Sequence, residues 1–517
     1  MPTALEMLAE PFGTLPALIA AHAREQGDKA AVVCGDRSID YAELNRAMDA
    51  IAAALQRDGV RPGQAVAIVA AMSIDYACAF LGALRAGAVP APVAPSSTGA
   101  QMAAMIADCQ APVLFLDADA AATLGDHPVS AKRVALDGSD AGIRHADFVA
   151  GTNRPAPVDI GPDDPFNIIY SSGTTGTPKG IVQPHRMRWA HIGRNREAGF
   201  GEAVTMISTP LYSNTTLVSF IPTLAWGGTV VLLGKFDARR FLDMAEKHRA
   251  THAMLVPVQY SRLMAVEDFD RYDLTSFRMK TCTSAPFSAA LKADIVARWP
   301  GLLIEYYGMT EGGGTCVLVC NMFPDKLHTV GRPVEDHDIR LIDDEGREVP
   351  QGETGEVVGR SPAMMSGYFG RKDATDAAEW FDTDGNRFIR HGDVGRFDAD
   401  GFLTLMDRKK DVIISGGFNI YPSDIEAVMA GHPDVADCTV VGVPDPDWGE
   451  TPIGFYVPRA GSEAAPQAVL DWVNARVGKT QRLRGIDVLG ELPRSAIGKV
   501  LKRELRDRHA AARELAA

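Results

Sequence analysis

The sequence predicts an α/β protein with a large N-terminal domain of βαβ-layered sheets, a small β-rich subdomain and an α+β C-terminal domain. Three observations predict this fold class. Short apolar runs alternate with amphipathic stretches over most of the chain, Asp/Gly turns separate short strand-like segments from residue 332 onward, and five consecutive charged residues occupy positions 407–411. The alternation favours largely parallel sheets covered by helices. A length of 517 residues exceeds what one hydrophobic core normally serves, so we expect more than one domain.

The N-terminal domain is predicted from apolar runs of strand length and amphipathic stretches of helix length. Short apolar runs are typical of buried strands, and apolar residues at helical spacing indicate a helix packed on a sheet. The predicted strands are 66–70, 89–93, 113–116, 166–170, 229–233 and 253–256, and the predicted helices are 75–86 and 241–249. Because strands and helices follow each other along the chain, we expect βαβ units.

The remaining elements define the subdomain and the C-terminal domain. The predicted strands are 338–342, 355–359, 388–397, 438–443 and 453–457, and the predicted helices are 423–429 and 466–477. They place a β-rich subdomain at 331–407 within an N-terminal domain of residues 1–407, and a C-terminal domain at 412–517. The charged run between them offers no apolar residue to a core, so we expect it to be exposed and to form the boundary at 408–411.

The composition excludes several classes of function. Apolar residues make up 46% and charged residues 23% of the chain, as in ordinary globular proteins. The formal net charge of −14 argues against a nucleic-acid partner, which needs a basic face. Seven scattered cysteines favour free thiols in a reducing compartment. With no basic and apolar leader and no apolar run of about 18 residues, we expect a cytoplasmic protein without a membrane span. The oligomeric state stays open, a homodimer included.

The most informative segment is a loop rich in glycine and hydroxyl groups, which follows the predicted strand at 166–170. It reads Ser171-Ser172-Gly173-Thr174-Thr175-Gly176-Thr177-Pro178-Lys179-Gly180. Glycines let the backbone approach a phosphate, consecutive N–H groups form an anion-binding nest, and the lysine adds a positive charge. The common P-loop is excluded, because Pro178 precedes the lysine and Gly180 follows it. The segment therefore predicts a polyphosphate-binding loop of another kind.

Further short motifs follow this loop in a fixed order. They are Thr209-Pro210-Leu211-Tyr212-Ser213, Ser284-Ala285-Pro286, Tyr306-Tyr307-Gly308-Met309-Thr310-Glu311, His391-Gly392-Asp393, Arg408-Lys409-Lys410, Ser415-Gly416-Gly417-Phe418 and Leu492-Pro493-Arg494-Ser495-Ala496-Ile497-Gly498-Lys499. Together they resemble the adenylate-forming superfamily of acyl-CoA synthetases, aryl-CoA ligases, luciferases and peptide-synthetase adenylation domains, over residues 41–505. The resemblance implies ATP-dependent formation of an acyl adenylate from a small-molecule carboxylic acid, with release of pyrophosphate, and then transfer of the acyl group to coenzyme A (CoA).

The resemblance also implies roles for residues of the N-terminal domain. Tyr307 stacks on adenine, which the backbone of Ser284-Ala285-Pro286 borders. The Thr310 hydroxyl contacts the α-phosphate, and Glu311 and Thr175 help to hold Mg²⁺. One carboxylate beside substrate phosphates is a reasonable magnesium site, because Mg²⁺ prefers oxygen ligands and keeps its waters. The other ATP-binding residues are Ser171, Ser172, Gly173, Thr174, Gly176 and Lys179 of the glycine-rich loop.

In the C-terminal part, the resemblance makes the domain mobile and assigns it the catalytic lysine. Asp393 accepts hydrogen bonds from both ribose hydroxyls, and Arg408 contacts the ribose and a phosphate. Lys410 is the hinge residue, and Lys499 bridges the carboxylate and the α-phosphate. His391 departs from the family, which usually has threonine there. The CoA-binding loop contains Gly416, Gly417 and Phe418.

The acyl pocket is less well determined. By resemblance it draws on Trp189, Tyr212, Ser213, Val256, Thr283, Gly308 and Gly313. Many CoA ligases have a histidine where Ser213 stands, and members that activate amino acids usually carry an aspartate in this region. An uncharged residue argues against an α-amino acid, whose buried ammonium would stay unpaired. Apolar walls favour an aromatic, cyclic or medium-chain acid. The run 312–314, three glycines, either makes room for that acid or forms a flexible turn.

Three functions remain open. The complete set of motifs favours an ATP- and CoA-dependent ligase. A related enzyme would pass the adenylate to a carrier-protein thiol or an amine, with the same ATP residues. A non-catalytic nucleotide-binding protein is the third, and the retained Lys179, Glu311 and Lys499 argue against it.

Overall fold

The computed structural model describes residues 1–151, 154–171, 179–194, 196, 198–415, 418–462, 465–495 and 498–516. It confirms the predicted α/β fold class. Within these ranges, no helix combines the length and the hydropathy that crossing a bilayer requires.

The first part of the chain alternates strands and helices as predicted. Its elements are α1 (Ala4–Leu8), α2 (Leu15–Glu25), β1 (Ala30–Cys34), β2 (Arg37–Asp40), α3 (Tyr41–Arg57), β3 (Ala65–Val69), α4 (Ile74–Arg85), β4 (Val89–Pro92), α5 (Gly99–Asp108), β5 (Val113–Leu116), α6 (Ala118–Leu124), β6 (Lys132–Ala135), β7 (Ile143–Arg144) and α7 (His145–Val149). Helix α4 begins where the Ser73 hydroxyl accepts a hydrogen bond from the Tyr76 N–H. Strand β4 contains Pro90 and Pro92 and lies at a sheet edge, where the missing N–H groups are tolerated.

The central part carries most of the candidate site. Its elements are β8 (Pro165–Ser171), β9 (Lys179–Pro184), α8 (His185–Arg194), β10 (Val204–Ile207), α9 (Asn214–Ala225), β11 (Thr229–Leu232), α10 (Ala238–Lys247), β12 (His252–Leu255), α11 (Pro257–Met264), β13 (Met279–Cys282), α12 (Ala289–Arg298), β14 (Leu302–Gly308) and β15 (Thr315–Val319). The predicted strands at 166–170, 229–233 and 253–256 are confirmed as β8, β11 and β12.

The last part has the predicted short strands and then an α+β segment. Its elements are β16 (Arg332–Pro333), β17 (Asp338–Ile342), β18 (Thr354–Arg360), β19 (Gly367–Tyr368), α13 (Lys372–Ala377), β20 (Glu379–Phe381), β21 (Arg387–Phe397), β22 (Leu403–Arg408), β23 (Ile413–Ser415), β24 (Phe418–Ile420), α14 (Pro422–Ala430), β25 (Val435–Asp445), β26 (Gly449–Pro458), α15 (Pro466–Asn474), β27 (Gly485–Val488) and α16 (Lys502–Ala516).

Two sheets are largely or wholly parallel. One has the order β16-β15-β14-β13-β12-β10-β11-β1-β2, and its strands from β14 to β1 run parallel. The other has the order β4-β3-β5-β6-β7 and is parallel throughout. The central strands β3, β5 and β12 are buried over their whole length. Burial on both faces explains why these strands are continuous apolar runs in the sequence.

Three smaller sheets complete the fold. Strands β8 and β9 form an antiparallel hairpin in the sheet β19-β9-β8, and this hairpin carries the glycine-rich loop. A second sheet has the order β17-β18-β21-β20, with β22 paired to β21. The third has the order β24-β23-β26-β25, with β27 parallel to β26.

The chain divides into two compact units. The first comprises residues 1–327, 333–338 and 359–389, and the second comprises 328–332, 339–358 and 390–517. Much of the segment that the sequence assigned to a β-rich subdomain thus groups with the C-terminal residues. The hinge at 408–411 stays a prediction.

The charged run 407–411 is exposed only in part: Lys409 and Lys410 are exposed as expected, whereas its other residues are half-buried. The side chains of Asp407 and Asp411 are 9% and 12% exposed. Lys502 of α16 lies 3.9 Å from Asp407, and Arg506 donates to Asp411 at 2.7 Å. These cations come from a helix about ninety residues further along the chain, so the run by itself gives no sign of them. Paired in this way, the carboxylates can be buried.

Candidate active site

Lys179 begins strand β9, at the base of the glycine-rich hairpin. Its Cα pairs with that of Ser171, the last residue of β8. Its Nζ lies 5.0 Å from the centroid of the Tyr368 ring, within the range of a cation–π contact. The predicted phosphate-binding residues between these strands lie outside the described residues; they are Ser172, Gly173, Thr174, Thr175 and Gly176.

Thr310 and Glu311 lie in the turn that follows β14. Tyr307, near the end of this strand, is 8% exposed. The Glu311 Oε1 atom accepts a hydrogen bond of 2.9 Å from the Tyr368 hydroxyl. The backbone of the turn is held as well, because the Met365 N–H donates to the Glu311 carbonyl at 2.8 Å. The carboxylate predicted for Mg²⁺ therefore has a defined position.

Tyr368 is a site residue that the sequence reasoning missed. It contacts Glu311 through its hydroxyl and Lys179 through its ring, and thereby links two motifs of the predicted ATP site. Burial raises the pKa of Tyr368, so that its hydroxyl remains a hydrogen-bond donor at neutral pH. The local sequence Ser366-Gly367-Tyr368 carried no chemical signal, since its importance comes from residues far away in the chain.

The predicted adenine-bordering segment begins at a strained residue. Ser284 has a φ of +83°, which a residue other than glycine seldom adopts. Its hydroxyl lies 2.5 Å from the Thr215 hydroxyl, in the first turn of α9. Ala285 is half-buried and Pro286 is exposed. The hydrogen bond to α9 helps to hold this backbone conformation.

Ser213 has a structural partner of its own. It is the N-cap of α9, and its hydroxyl accepts a hydrogen bond of 3.3 Å from the Thr215 N–H. N-cap positions favour short polar side chains, which gives a physical reason for serine at this position. Ser213 is 8% exposed, and the neighbouring Tyr212 is half-buried. This position is therefore uncharged and buried, with its hydroxyl engaged by the backbone of α9.

The other predicted pocket residues are spread over several elements of the first unit. Val256 is the buried residue before α11, and Thr283 is half-buried after β13. Trp189 donates from its Nε1 to the Glu10 carbonyl at 3.3 Å and packs edge-to-face on Phe12. Gly308, the last residue of β14, is exposed, whereas Gly313 is buried. The pocket assignment stays a prediction for all seven residues.

Gly312 is explained by the backbone around it. Its φ is +87°, and a Cβ atom at this position would overlap the carbonyl oxygen of Ala363. The Ser361 hydroxyl also donates to the Gly312 carbonyl at 3.0 Å. A close backbone contact therefore requires glycine here, whether or not the turn also makes room for a substrate.

In the second unit, Asp393 and Arg408 form an ion pair. They are cross-strand partners on β21 and β22, and the Arg408 Nε atom lies 3.1 Å from Asp393 Oδ1. Gly392 has a φ of +69°, and its carbonyl accepts a hydrogen bond of 2.9 Å from the Lys409 N–H. The register of the strand pair shifts only after this point, between Val394 and Gly395, so Asp393 lies directly opposite Arg408. His391, which departs from the family motif, is 4% exposed.

Lys499 of the second unit follows a backbone that is held by Arg494 and Ser495. The Ser495 N–H donates to the Lys499 carbonyl at 2.8 Å, and Arg494 donates to the Gly498 carbonyl at 2.7 Å. Desolvation by nearby protein atoms, and then the charge of Arg408, lowers the pKa of Lys499 to about 8. The residue is nevertheless exposed to solvent, which leaves its ammonium accessible. Such a lysine is still mainly charged at neutral pH and can contact an anion.

Two further predictions concern Lys410 and the CoA loop. Desolvation lowers the pKa of Lys410, and the residue lies after the end of β22. Phe418 is 62% exposed at the start of β24. Gly416 and Gly417 lie outside the described residues. The roles of these residues as hinge and CoA contacts stay predictions.

The chemistry of the two groups of residues is complementary. The first unit offers a lysine, a threonine hydroxyl and a carboxylate, whereas the second offers an aspartate, an arginine and a lysine of lowered pKa. Cations and fixed donors of this kind stabilise charge on phosphates. Within the described ranges, no cluster of three or more His, Cys, Asp or Glu side chains suits a metal ion. A single carboxylate such as Glu311 does suit Mg²⁺ that is also held by phosphates.

Comparison with known proteins covers nearly the whole chain. The family model described as AMP-binding enzyme matches residues 19–369, and that of the AMP-binding enzyme C-terminal domain matches residues 424–499. A feruloyl-CoA synthase from Amycolatopsis sp is 33% identical over 94% of this chain and 97% of its own length. A fatty acid–[acyl-carrier-protein] ligase from Streptomyces coeruleorubidus is 32% identical over 96% of both chains.

A solved structure shows the same fold. The amide bond synthetase McbA from Marinactinospora thermotolerans superimposes with a TM-score of 0.84 and 29% identity, over 95% of this chain and 99% of its own. Both family models match in their expected order, and the relatives align over nearly their full length. The chain therefore belongs to the AMP-binding enzyme family and is an AMP-forming ligase of carboxylic acids.

Proposed function

We propose that this enzyme joins an aromatic or similarly apolar carboxylic acid to CoA at the expense of ATP. The observation that supports the ATP chemistry best is the contact of Tyr368 with both Lys179 and Glu311, the side chains proposed to bind phosphate and magnesium. The buried and uncharged Ser213 supports an acid without an α-ammonium group. The feruloyl-CoA synthase that matches almost the whole chain acts on an aromatic acid.

The reaction has two steps. In the first, a carboxylate oxygen attacks the α-phosphorus of ATP, and the bond to the leaving pyrophosphate breaks. Lys179 binds the β- and γ-phosphates, the Thr310 hydroxyl and Lys499 bind the α-phosphate, and Asp393 holds the ribose. In the second step, the thiolate of CoA attacks the acyl carbon, and AMP leaves with the bridging oxygen. Glu311 and the phosphates would hold Mg²⁺, which would neutralise charge on the nucleotide.

The proposed setting is the cytoplasm, where ATP and CoA are available. All seven cysteines are free thiols in the structure, which suits a reducing compartment. The proposed partners are the acid, ATP and CoA.

Two other acceptors are compared with CoA: a carrier-protein thiol and an amine. The carrier-protein ligase and the amide bond synthetase that resemble this chain transfer acyl groups to a protein thiol or an amine. The ATP residues are shared by all three chemistries, so the acceptor must be determined by kinetics.

The proposal is tested by pyrophosphate release from ATP and Mg²⁺ with a panel of aryl, medium-chain and dicarboxylic acids. Each acid is assayed without acceptor and with CoA, a phosphopantetheinylated carrier protein or an amine. We expect release that depends on an aryl acid and turns over rapidly only with CoA. Rapid turnover only with carrier protein or amine would overturn the CoA assignment, and a preference for dicarboxylates would overturn the acid class.

Removing the Tyr368 hydroxyl is expected to weaken magnesium binding. Tyr368→Phe keeps the ring beside Lys179 and loses the bond that orients Glu311, so the Mg²⁺ concentration for half-maximal pyrophosphate release should rise about 10-fold. Tyr368→Leu also loses the ring, so the KM for ATP should rise as well. The control is Tyr272→Phe, since Tyr272 is a half-buried tyrosine beside Arg239. An unchanged magnesium requirement in Tyr368→Phe would contradict the positioning of Glu311.

The lowered pKa of Lys499 predicts an alkaline limit to acyl-adenylate formation. The ammonium loses its charge as the pH rises through about 8, so kcat/KM for ATP in pyrophosphate release should fall above that pH. Bound phosphates favour the charged form, so the limit in kcat should lie at higher pH. Lys499→Arg keeps its charge and should move the limit in kcat/KM upward, even if its maximal rate is lower. An identical limit in both proteins would assign it to another group.

A further inference from the structure

A buried polar cluster joins the glycine-rich hairpin to the turn that follows β14. Asn167 of β8 and Gln183 of β9 are directly opposed in this hairpin, and both are 0% exposed. Arg188 of α8 is 1% exposed and donates hydrogen bonds to the side-chain oxygens of both residues. The hairpin is thus held by a buried cation through Gln183, which lies four residues beyond Lys179, the first residue of β9.

Arg188 is unusual because its hydrogen-bond partners are amides, beside the Phe166 ring at 5.7 Å. Among the residues that the structure describes, no carboxylate pairs with it, and its Nε and Nη2 atoms lie 3.2 and 3.1 Å from Asn167 Oδ1. Burial lowers the pKa of Arg188 to about 9, so the guanidinium remains charged at neutral pH. Burying a charge without a counterion costs free energy, which a purely structural contact between apolar side chains would avoid.

The cation determines which way round the Gln183 amide lies. An arginine donates and never accepts, so it must face the amide oxygen. The Nε2 atom then lies on the other side, where it donates to the Thr310 carbonyl at 2.7 Å. If the amide were inverted, its NH₂ group would face the N–H donors of Arg188, and its oxygen would face the Thr310 carbonyl oxygen. Arg188 therefore secures the hydrogen bond between Gln183 and Thr310.

That hydrogen bond fixes the peptide group between Thr310 and Glu311. The Thr310 carbonyl and the Glu311 N–H belong to one planar peptide, so holding the oxygen orients the link between the two residues. Met365 holds the next carbonyl, that of Glu311, from another part of the fold. Gln183 is the contact that relates this turn to the strand of Lys179.

We infer that Gln183, oriented by Arg188, is a positioning residue for acyl-adenylate formation, because it sets the Thr310–Glu311 peptide relative to Lys179. The inference rests on the proposed function, in which Thr310 binds the α-phosphate, Glu311 binds the magnesium ion and Lys179 binds the terminal phosphates. In this proposal Gln183 acts through the Thr310–Glu311 peptide and not on a substrate. It should therefore affect the rate of the first step more than the affinity for ATP.

The test is the isosteric substitution Gln183→Glu. A glutamate keeps the shape and an acceptor for Arg188 but has no N–H group for the Thr310 carbonyl. We expect the kcat of acid-dependent pyrophosphate release to fall about 10- to 100-fold. The Kd for ATP by calorimetry should change less than about threefold, as for an interaction made mainly in the transition state, and the Tm should not fall.

A matched control is Gln26→Glu. The Gln26 Nε2 atom also donates to a backbone carbonyl, that of Gly227 at 3.0 Å, in the first unit but apart from these motifs. We expect unchanged kcat in this variant. An unchanged kcat in Gln183→Glu would overturn the inference, as would a fall in kcat that comes with equal losses of ATP affinity and Tm.

Three further variants keep the test decisive. If Gln183→Glu does not fold, Arg188→Met leaves the amide free to invert, and it should lower kcat several-fold without loss of Tm; wild-type kcat there overturns the inference. Thr310→Ala and Glu311→Gln test the proposed function separately. If both keep wild-type pyrophosphate release, the proposed site is wrong. If both are impaired while Gln183→Glu is not, only this inference fails.

Discussion

We expect Lys499→Ala to lower acid-dependent pyrophosphate release by about 10²- to 10³-fold, because a positioned cation on the α-phosphate is lost from the transition state. The same variant should form thioester from a supplied acyl adenylate and CoA at close to the wild-type rate. The first step needs charge stabilisation on a phosphate under attack, whereas the second begins with that bond already made. Stopped-flow or discontinuous assays of each half-reaction measure the two rates separately.

The matched control is Lys479→Ala. Lys479 is another exposed lysine of the second unit, and it lies in a short turn outside the motifs. Its loss should leave both half-reactions unchanged. If Lys499→Ala slowed both half-reactions equally, the lysine would have a general role in binding or folding, and its assignment to the first step would be wrong.

We expect Lys292→Met to destabilise the first unit by about 3–5 kcal/mol, because it leaves a buried carboxylate without its cation. Lys292 of α12 forms an ion pair with Glu305 of β14, and their side chains are 1% and 6% exposed. Lys292 also donates to the Leu327 carbonyl at 2.8 Å. Because β14 carries Tyr307, the pair supports the strand that leads into the ATP site. Thermal unfolding measured by calorimetry gives the loss.

The double variant Lys292→Met, Glu305→Leu distinguishes the effect of an unpaired charge from a loss of packing. Without the carboxylate no charge is left unpaired, so most of the stability should return. Lys372→Ala is the control, since its pair with Asp376 is exposed and should contribute less than about 1 kcal/mol. A double variant no more stable than the single one would show that the loss came from packing.

The loss of stability in Lys292→Met should also depend on pH. Burial raises the pKa of Glu305, and removing Lys292 removes the charge that lowers it. A carboxyl group with a raised folded pKa contributes stability at low pH that is lost as the pH rises through that pKa. The deficit of Lys292→Met should therefore be smaller at pH 6 than at pH 8.

Much of the fold was predictable because its signals are local. The strand at 113–116 coincides with β5, and that at 338–342 coincides with β17. Both are short apolar segments bounded by polar residues or turns, so their limits are encoded by neighbours in sequence. Long elements were underestimated: β25 extends over Val435–Asp445, whereas the apolar run predicted only 438–443. Hydrogen bonds with β26 extend the strand beyond its apolar centre.

The partners of site residues were less predictable than the residues themselves. Lys179 stands in a loop whose residue types indicated phosphate binding, and the roles of Thr310 and Glu311 were implied by the resemblance of their motif to a known family. Tyr368, Gln183 and Arg188 act through contacts that join distant segments, such as the 2.7 Å bond from Gln183 to Thr310 across 127 positions. No pattern in one segment contains that information.

The sequence by itself determined the family, the order of the motifs and the alternation of strands and helices. It also determined the chemical classes of the side chains that are expected to bind ATP. Each depends on residue type and short spacing, which a linear chain displays directly. Tertiary structure alone decided the burial of Asp407 and Asp411, the N-cap role of Ser213 and the orientation of the Gln183 amide. These properties depend on the distances and charges of groups far apart in the chain, and folding is what brings such groups together.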